Sequence, residues 1–404
     1  MRIVIYEHVS GGGYAQQPLP QSVLCEGFGM LRSVVSDFKA AGHEITVLLD
    51  ERLSQLNPPI DADFTVPIVY ADEPKRFLTD VAQINDAIYV IAPETGQTLE
   101  SLVSAVEETG KVSLNCQANA ITKAADKATL YENLQKLDLA PKTVLLNVDD
   151  DVAKIGLIIK KELTYPVVFK PSDGVSGSGL SVVKEEAQIA KALLKVKAES
   201  PSPRFIAQQY IDGQAVSVSL LSTGKKACAL SLNKQELVLA EPSGTSSYLG
   251  GIVPFEHALK QEAFTAAEKV VESIAGLRGY VGVDLVLTRD KAFVVDVNAR
   301  LTMSYVGLRR VAGFNVAEAL VNAVLNGKLP KKQNINRVAC FSKVQTPKPM
   351  EAAFQKAAKL PAVVSPPFPI DGGACALLIG EGARLDEANM QLEQAKKRLQ
   401  AITG

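Results

Sequence analysis

Two apolar segments joined by four residues restrict the fold more than any other stretch of this chain. Residues 280–287 read YVGVDLVL and residues 292–300 read AFVVDVNAR, with TRDK between them. Alternate side chains of a strand point to opposite faces. The second segment therefore places Val295, Val297 and Ala299 on one side and Asp296, Asn298 and Arg300 on the other. Local pairing of two such strands gives an antiparallel hairpin, in which facing residues have positions with a constant sum. A three-residue loop centred on Asp290 sets that sum at 580 and brings Asp284 opposite Asp296 on one face. A two-residue loop puts the two acids on opposite faces. Two opposed carboxylates repel, and a hard cation with oxygen ligands offsets the repulsion. Two acids and an amide suit Mg2+, which keeps waters or phosphate oxygens in its shell. On a solvent-facing sheet edge the same acids would be incidental.

The chain has 404 residues, enough for two or three domains at roughly 100–200 residues each. Apolar residues make up 47% and charged residues 22%, an ordinary soluble composition. A formal net charge of −1 supplies no field to hold nucleic acid or an anionic membrane, so neither is an expected partner. Cys25, Cys116, Cys228, Cys340 and Cys375 form no CxxC pair, which argues against a disulfide framework or a zinc site. His8, His43 and His257 are scattered. The N-terminal MRIVIYEHV lacks the apolar core of a signal peptide. No apolar run reaches the ~18 residues that span a bilayer. The expected compartment is the cytoplasm.

Residues 1–115 alternate strand and helix signals: RIVIY, a helix face at Leu24, Phe28, Leu31, Val35 and Phe38, then EITVLLD, AIYVIAP, a helix over 99–109, and KVSLN. That order predicts a doubly wound parallel sheet, with ligands beyond the carboxyl ends of its strands. Those ends carry residues 7–13 (EHVSGGG), 50–52 and 93–94. SGGG is not a dinucleotide fingerprint, since GxGxxG is absent; it reads as a flexible loop or a substrate loop. Beyond it, DKATLYENLQKL reads as a helix, and YPVVFK, LSVVK, RFIAQQYI, AVSVSLL and ACALSL as strands. EPSGTSSYLGG reads as a loop, and residues 185–197, 261–277 and 316–326 as helices. GKLPKKQN marks a boundary, and a last helix aligns Leu385, Ala388, Leu392, Ala395, Leu399 and Ile402. The expected fold is α/β: an N-terminal doubly wound parallel sheet (1–115), followed by an α+β region with antiparallel sheets. Its parts are a small subdomain (116–200), a large subdomain (201–330) and a C-terminal α/β extension (331–404).

Residues 169–179, FKPSDGVSGSG, put a lysine at a strand end before a glycine-rich segment. Backbone N–H groups of such a loop can cradle phosphate oxygens. A strand follows instead of a helix, and GxxxxGK[ST] is absent, so this is not a Walker A loop. A strand–loop–strand flap fits better; a plain turn is the other reading.

The chain resembles the ATP-grasp superfamily of carboxylate–amine ligases over about residues 114–311. Four matches in order carry the resemblance: Asp126-Lys127 at a helix start, PVVFKPSDGVSGSG with Lys170, FIAQQYIDG as the adenine-reading hinge, and GVDLVL…VVDVNAR as the metal hairpin. The resemblance implies ATP and Mg2+, with Mn2+ as a substitute. It implies that Lys127 and Lys170 neutralise ATP phosphates beneath a flap containing Gly174, Ser176, Gly177 and Ser178. Gln208 would contact adenine, with Tyr210 and Ile211 lining the base pocket. Asp284, Asp296 and Asn298 would hold the metal, and Arg300 would face the transferred phosphoryl group, which makes Arg300 and Lys170 the implied catalytic pair. Position 296 is Asp where the family usually has Glu, and position 208 is Gln where Glu is common. The ribose-binding acid falls on Ala215, so no ribose ligand is assigned and Asp212 is only a candidate.

EHVSGGGY, LDERL, IAPET, DKATLYENL, SLNKQEL and YLGGIVP are similar to segments of one branch, the tyramine–L-glutamate ligases of methanofuran synthesis and their relatives in bacterial methylofuran synthesis. That likeness implies ATP-dependent glutamylation of an aromatic amine through an acyl phosphate, with ADP and phosphate released. The implied partners are a small carboxylate, a small amine and a second copy of the chain in a homodimer. Glu7 and Glu94 are candidates for holding an amino group. Tyr248 either packs against an aromatic amine or anchors its own loop. The alternatives are a ligase for another amino acid–amine pair, a small-molecule phosphotransferase on the same fold, and a non-catalytic nucleotide-binding module.

Overall fold

The alternation of strands and helix faces over the first 115 residues is realised as five parallel strands in a computed structural model, which describes residues 1–71, 73–172, 179–200, 202–331, 335–370 and 373–404. The strands are β1 (Arg2–Glu7), β2 (Glu44–Asp50), β3 (Phe64–Ile68), β4 (Ala87–Ile91) and β5 (Val112–Ser113), in the order β3-β2-β1-β4-β5. The strand order reverses between β1 and β4, so the ligand crevice of such a sheet lies at their carboxyl ends. These ends carry Glu7 and lead to Glu94. Strand β3 has no clean period and contains Pro67; it lies at the sheet edge, where proline is tolerated. The SGGG loop is not a loose excursion: Ser10, Gly11 and Gly12 are buried.

Four antiparallel strands form a second, small sheet: β6 (Thr143–Asn147), β7 (Val167–Pro171), β8 (Ser181–Val183) and β9 (Arg204–Gln209), in the order β6-β9-β7-β8. This sheet has a core of its own, including Ile155, Ile159, Phe169, Val196 and Phe205.

The third sheet has eight strands: β10 (Gln214–Thr223), β11 (Ala227–Val238), β12 (Ser247–Val253), β13 (Arg278–Leu287), β14 (Ala292–Asn298), β15 (Val338–Thr346), β16 (Val363–Ser365) and β17 (Ala374–Gly382). Their order is β14-β13-β10-β11-β12-β15-β17-β16. The strands beyond residue 331 thus continue the sheet that holds the hairpin. The segment read as a Ser/Gly loop is half strand, since 247–251 belong to β12. Glycine makes this possible. Gly250 has φ +151°, and a Cβ there would lie 2.1 Å from the Phe341 carbonyl oxygen on β15. Composition suggested a loop, but the glycines admit a neighbouring strand.

The first and third sheets share their cores. Val4 and Tyr6 of β1 belong to one apolar cluster with Val281 and Val283 of β13. The helix Gln21–Ala40 joins the helix Ser304–Val311 in another. One acid fastens these two helices. Asp37 accepts from Tyr305 Oη (2.6 Å) and from Arg309 Nε (2.9 Å) and Nη2 (2.6 Å). Its carbonyl also accepts from Asn315 Nδ2 at 2.7 Å. The Asp37 and Arg309 side chains are 11% and 18% exposed. Removing one member of such a pair leaves a poorly solvated charge, a loss of about 3–5 kcal/mol. Asp37→Ala is expected to destabilise the chain by that amount in denaturant unfolding, whereas Tyr305→Phe removes one hydrogen bond for about 1 kcal/mol.

Candidate active site

The hairpin of β13 and β14 meets the condition set by its polar row, by a route the sequence did not show. Near the turn, Leu287 faces Ala292 and Leu285 faces Val294, so the loop has four residues instead of three. That register alone would place Asp284 opposite Val295. The register shifts between Asp284 and Leu285, so that Asp284 faces Asp296, Val283 faces Val297 and Gly282 faces Asn298. Val295 is therefore the extra residue of a β-bulge, a device common beside active sites.

The opposed carboxylates are held differently. Asp284 accepts from Asn298 Nδ2 (3.0 Å) and Gln235 Nε2 (2.9 Å). Burial, and then the charge of Asp296, push its carboxyl up to about 6 against these two bonds. Asp296 takes Lys127 Nζ on both oxygens, at 3.0 and 2.9 Å. Burial works to raise its carboxyl, but Lys127 and Lys170 outweigh burial and hold it below the ordinary value. Lys127 is set by its neighbour: Asp126 caps the helix Lys127–Lys136 by accepting from Ala128 N and Thr129 N. Lys170, at the end of β7, donates to Gln208 Oε1 (2.9 Å) and approaches the carbonyl of the bulged Val295 (3.4 Å). Burial pushes its ammonium down to about 8. Gln208 Nε2 is also engaged, on Thr143 Oγ1 at 2.9 Å. Both ends of that amide are thus occupied.

Arg300 donates through Nε to Glu94 Oε2 at 2.8 Å and through Nη2 to Asn298 Oδ1 at 3.4 Å. Burial opposes its charge, but Glu94 outweighs burial and keeps the guanidinium ionised. Glu94, read as a holder of an amino group, instead pairs with Arg300; its Oε1 is buried and has no partner among the described residues. Glu7 is stitched into its own loop, accepting from Val9 N, Ser10 N and Ser10 Oγ at 3.1, 2.7 and 2.6 Å.

One cleft of about 250 Å³ lies between the small and large sheets, and Glu7 and Glu94 are not among its lining residues. Lys127, Lys170, Asp284, Asp296, Asn298 and Arg300 form its polar end. Tyr210, Ile211, Ala215, Leu237 and Leu239 form an apolar end, with Gln208 between the two. Asp212 is exposed and is not among the lining residues. Gly174, Ser176, Gly177 and Ser178 lie outside the described residues. Tyr248 is in the cleft wall, but on strand β12, with its ring 6.4 Å from Phe341.

Gln235 and Glu26 also line the cleft, and the sequence reading assigned neither. Gln235 had a detectable signal: Ser231, Asn233 and Gln235 alternate along β11 as the polar row does along β14. Glu26 had none, because it lies inside an apolar helix pattern. No group of three or more His, Cys, Asp or Glu side chains gathers among the described residues. Two opposed, half-buried carboxylates beside an amide nevertheless fit a cation that draws its other ligands from water or phosphate, as Mg2+ does.

Residues 124–304 match the family model of the ATP-grasp domain, and residues 43–121 match that of the pre ATP-grasp 3 domain. A tyramine–L-glutamate ligase from Methanocaldococcus fervens is 27% identical over 339 residues, 82% of this chain and 96% of that protein. A crystal structure of an ATP-grasp superfamily protein from Archaeoglobus fulgidus is 25% identical, with a TM-score of 0.64, over 94% of this chain and 98% of that one. The biotin carboxylase domain of the Hydrogenobacter thermophilus 2-oxoglutarate carboxylase, solved with MgADP, shares the fold. Its TM-score is 0.73 at 14% identity, over 98% of this chain and 89% of that one. Among the described residues, no helix is long and apolar enough to cross a membrane.

The opposed acids generate a pH dependence. With its carboxyl held at about 6, Asp284 keeps a proton where an unfolded aspartate, near 3.9, has lost it. Its contribution to stability is complete below about 3.9 and is lost as pH rises through about 6, because the folded chain binds more protons over that window. The difference is at most about 3 kcal/mol. Denaturant unfolding with chelator present should show this decline between pH 4 and 7, and Asp284→Asn should remove it.

Proposed function

The chain belongs to the ATP-grasp family of ATP-dependent carbon–nitrogen ligases, and on that premise we propose that it joins the γ-carboxylate of L-glutamate to an aromatic amine such as tyramine. The observation that carries the reading is the convergence of Lys127, Lys170, the Asp284–Asp296 pair and Arg300 on one cleft with an apolar end. Adenine would occupy the apolar end near Tyr210 and Ile211, with the phosphates running toward the lysines. Gln208 holds Lys170 in place, because both ends of its amide are engaged. Asp284, Asp296 and Asn298 would hold Mg2+ or Mn2+, which when bound neutralises phosphate charge.

The chemistry needs no protein nucleophile. A substrate carboxylate oxygen bonds to the γ-phosphorus of ATP as the bond to ADP breaks, giving an acyl phosphate. The amine nitrogen then bonds to the acyl carbon, phosphate leaves, and the nitrogen loses a proton. Repulsion between the anionic carboxylate and the triphosphate is the main barrier, and fixed cations lower it without reorganising. Arg300 reaches the cleft two residues beyond Asn298 and is held charged by Glu94, which suits it to the transferred phosphoryl group. The glutamate and tyramine assignment is supported by the M. fervens relative, by the likeness of EHVSGGGY, SLNKQEL and YLGGIVP to that branch, and by the aromatic Tyr248 in the cleft wall.

Incubation with ATP, Mg2+, L-glutamate and tyramine should give the condensed amide by mass spectrometry, with equimolar ADP. ADP release only with other acid–amine pairs overturns the substrate assignment. A γ-phosphoryl product that hydroxylamine does not trap would point to a phosphotransferase instead. Lys170→Ala is expected to lower turnover by about 10²–10³-fold, the usual scale for losing one charge-stabilising group. Its melting temperature should stay close to the parent's, since Lys170 ends a strand and adds little to the apolar core.

A further inference from the structure

One face of the helix Gln21–Ala40 presents Ser22, Cys25, Glu26 and Gly29, positions three and four apart that lie together on a helix. This face packs on the C-terminal strands. Lys343 Nζ on β15 reaches Ser22 Oγ at 2.9 Å. Cys25 Sγ lies 3.1 Å from Cys375 Sγ on β17. A Cβ added to Gly29 would come within 2.7 Å of Leu377. Beside this face, a Cβ at Gly27 would meet the Glu7 carboxyl group at 2.5 Å. The helix is therefore seated closely on two sides, and Glu26 between them has a fixed position.

Glu26 is the acid on that packed face. Its Oε1 accepts from Lys343 Nζ at 2.5 Å, and the two side chains are 14% and 11% exposed. No described residue donates to Oε2. Glu26 lines the cleft together with Arg300, Tyr248, Thr302 and Ser304, whereas Lys343 does not. One oxygen is thus tied to a lysine behind the wall, while the carboxylate belongs to the wall itself. Burial raises its proton affinity above the ordinary carboxylate value, and Lys343 and, farther off, Arg300 offset only part of that rise. A carboxylate with one oxygen on a lysine and the other facing a cleft without a donor is a receptor for a cationic hydrogen-bond donor.

We propose that Glu26 anchors the α-ammonium group of the amino-acid substrate. The assignment rests on the ligase reading and names which group of the substrate this part of the cleft takes. The choice between amines follows from chemistry. The amine that attacks an acyl phosphate must be neutral, and a carboxylate paired with a lysine stabilises a protonated amine at its second oxygen. Glu26 therefore suits an amine that does not react. In side-chain amide formation the α-ammonium of the amino acid is such a group: it passes unchanged from substrate to product.

The test pairs an amino acid with its deamino analogue and uses hydroxylamine as acceptor, so that hydroxamate reports activation of the acid. L-Glutamate and glutarate share two carboxylates and differ in the ammonium group. The parent chain is expected to prefer glutamate by about 10–100-fold in kcat/KM, the scale of one charge-assisted hydrogen bond. In Glu26→Gln that ratio should fall to within about threefold of unity, mainly through the KM for glutamate. The double variant Glu26→Gln/Lys343→Met removes both charges and should show the same loss, which separates the anchor from damage by an unpaired lysine. Calorimetric titration of each acid without ATP should follow the same ranking. A preference retained in Glu26→Gln overturns the proposal. So does an equal fall in kcat for both acids with a displaced pH profile, which would make Glu26 a base. If the parent makes no hydroxamate from glutamate, the glutamate reading fails by itself. The anchor is then judged by calorimetry on other amino acids and their deamino analogues, and a parent chain without preference for the ammonium-bearing members overturns it.

Discussion

Two carboxylates face each other across a pair of strands, and much of the cleft is arranged to make that tolerable. Asp284 and Asp296 are drawn into register by the Val295 bulge. Like charges directly opposed on a sheet are destabilising, and here each acid has its own compensation. Asp296 takes an ammonium on both oxygens, while Asp284 takes two amides and retains a high proton affinity. The bulge that aligns the acids also turns a backbone carbonyl toward Lys170. One irregular residue thus serves both the acid pair and the lysine at the end of β7.

The apolar interior is divided. The small sheet packs around Phe169 and Phe205 within its own cluster. The first and third sheets share apolar clusters and the Asp37–Arg309–Tyr305 junction. Glu94 on Arg300 and Lys343 on Glu26 both cross between chain segments far apart in sequence. The polar wall of the cleft is therefore backed, through Arg300 and Glu26, by the N-terminal sheet and the C-terminal strands.

Much of the cleft was legible from local pattern. The alternation VVDVNAR placed three polar groups on one face, and a strand-end lysine before a glycine-rich segment marked the β7–β8 connection. Motif order tied these to ATP chemistry. The legible residues share a cause: each lies on a strand or helix end whose period fixes its direction. The residues that escaped are those whose role depends on what crosses from elsewhere. Glu26 falls within an apolar helix pattern, and nothing nearby indicates that Lys343 will stand 2.5 Å away. Glu7 ends β1 and Glu94 follows β4 of the same sheet, yet one staples its own loop and the other pairs with Arg300.

The sequence by itself determined the strand–helix order, the parallel first sheet, the antiparallel hairpin and the facing of Asp296, Asn298 and Arg300, because side-chain periodicity is a local property of the backbone. It did not determine the bulge. A four-residue connection and a shifted register leave the same residues in the same order, and the choice lies with what packs around the hairpin, which includes β10 beside β13 and Lys170 at the Val295 carbonyl. Nor did it show that 247–251 form a strand, since that depends on Gly250 meeting the Phe341 carbonyl of a strand some 90 residues later. Burial, pairing of distant charges and the proton affinities that follow are set by which surfaces meet, and that was decided by the tertiary structure alone.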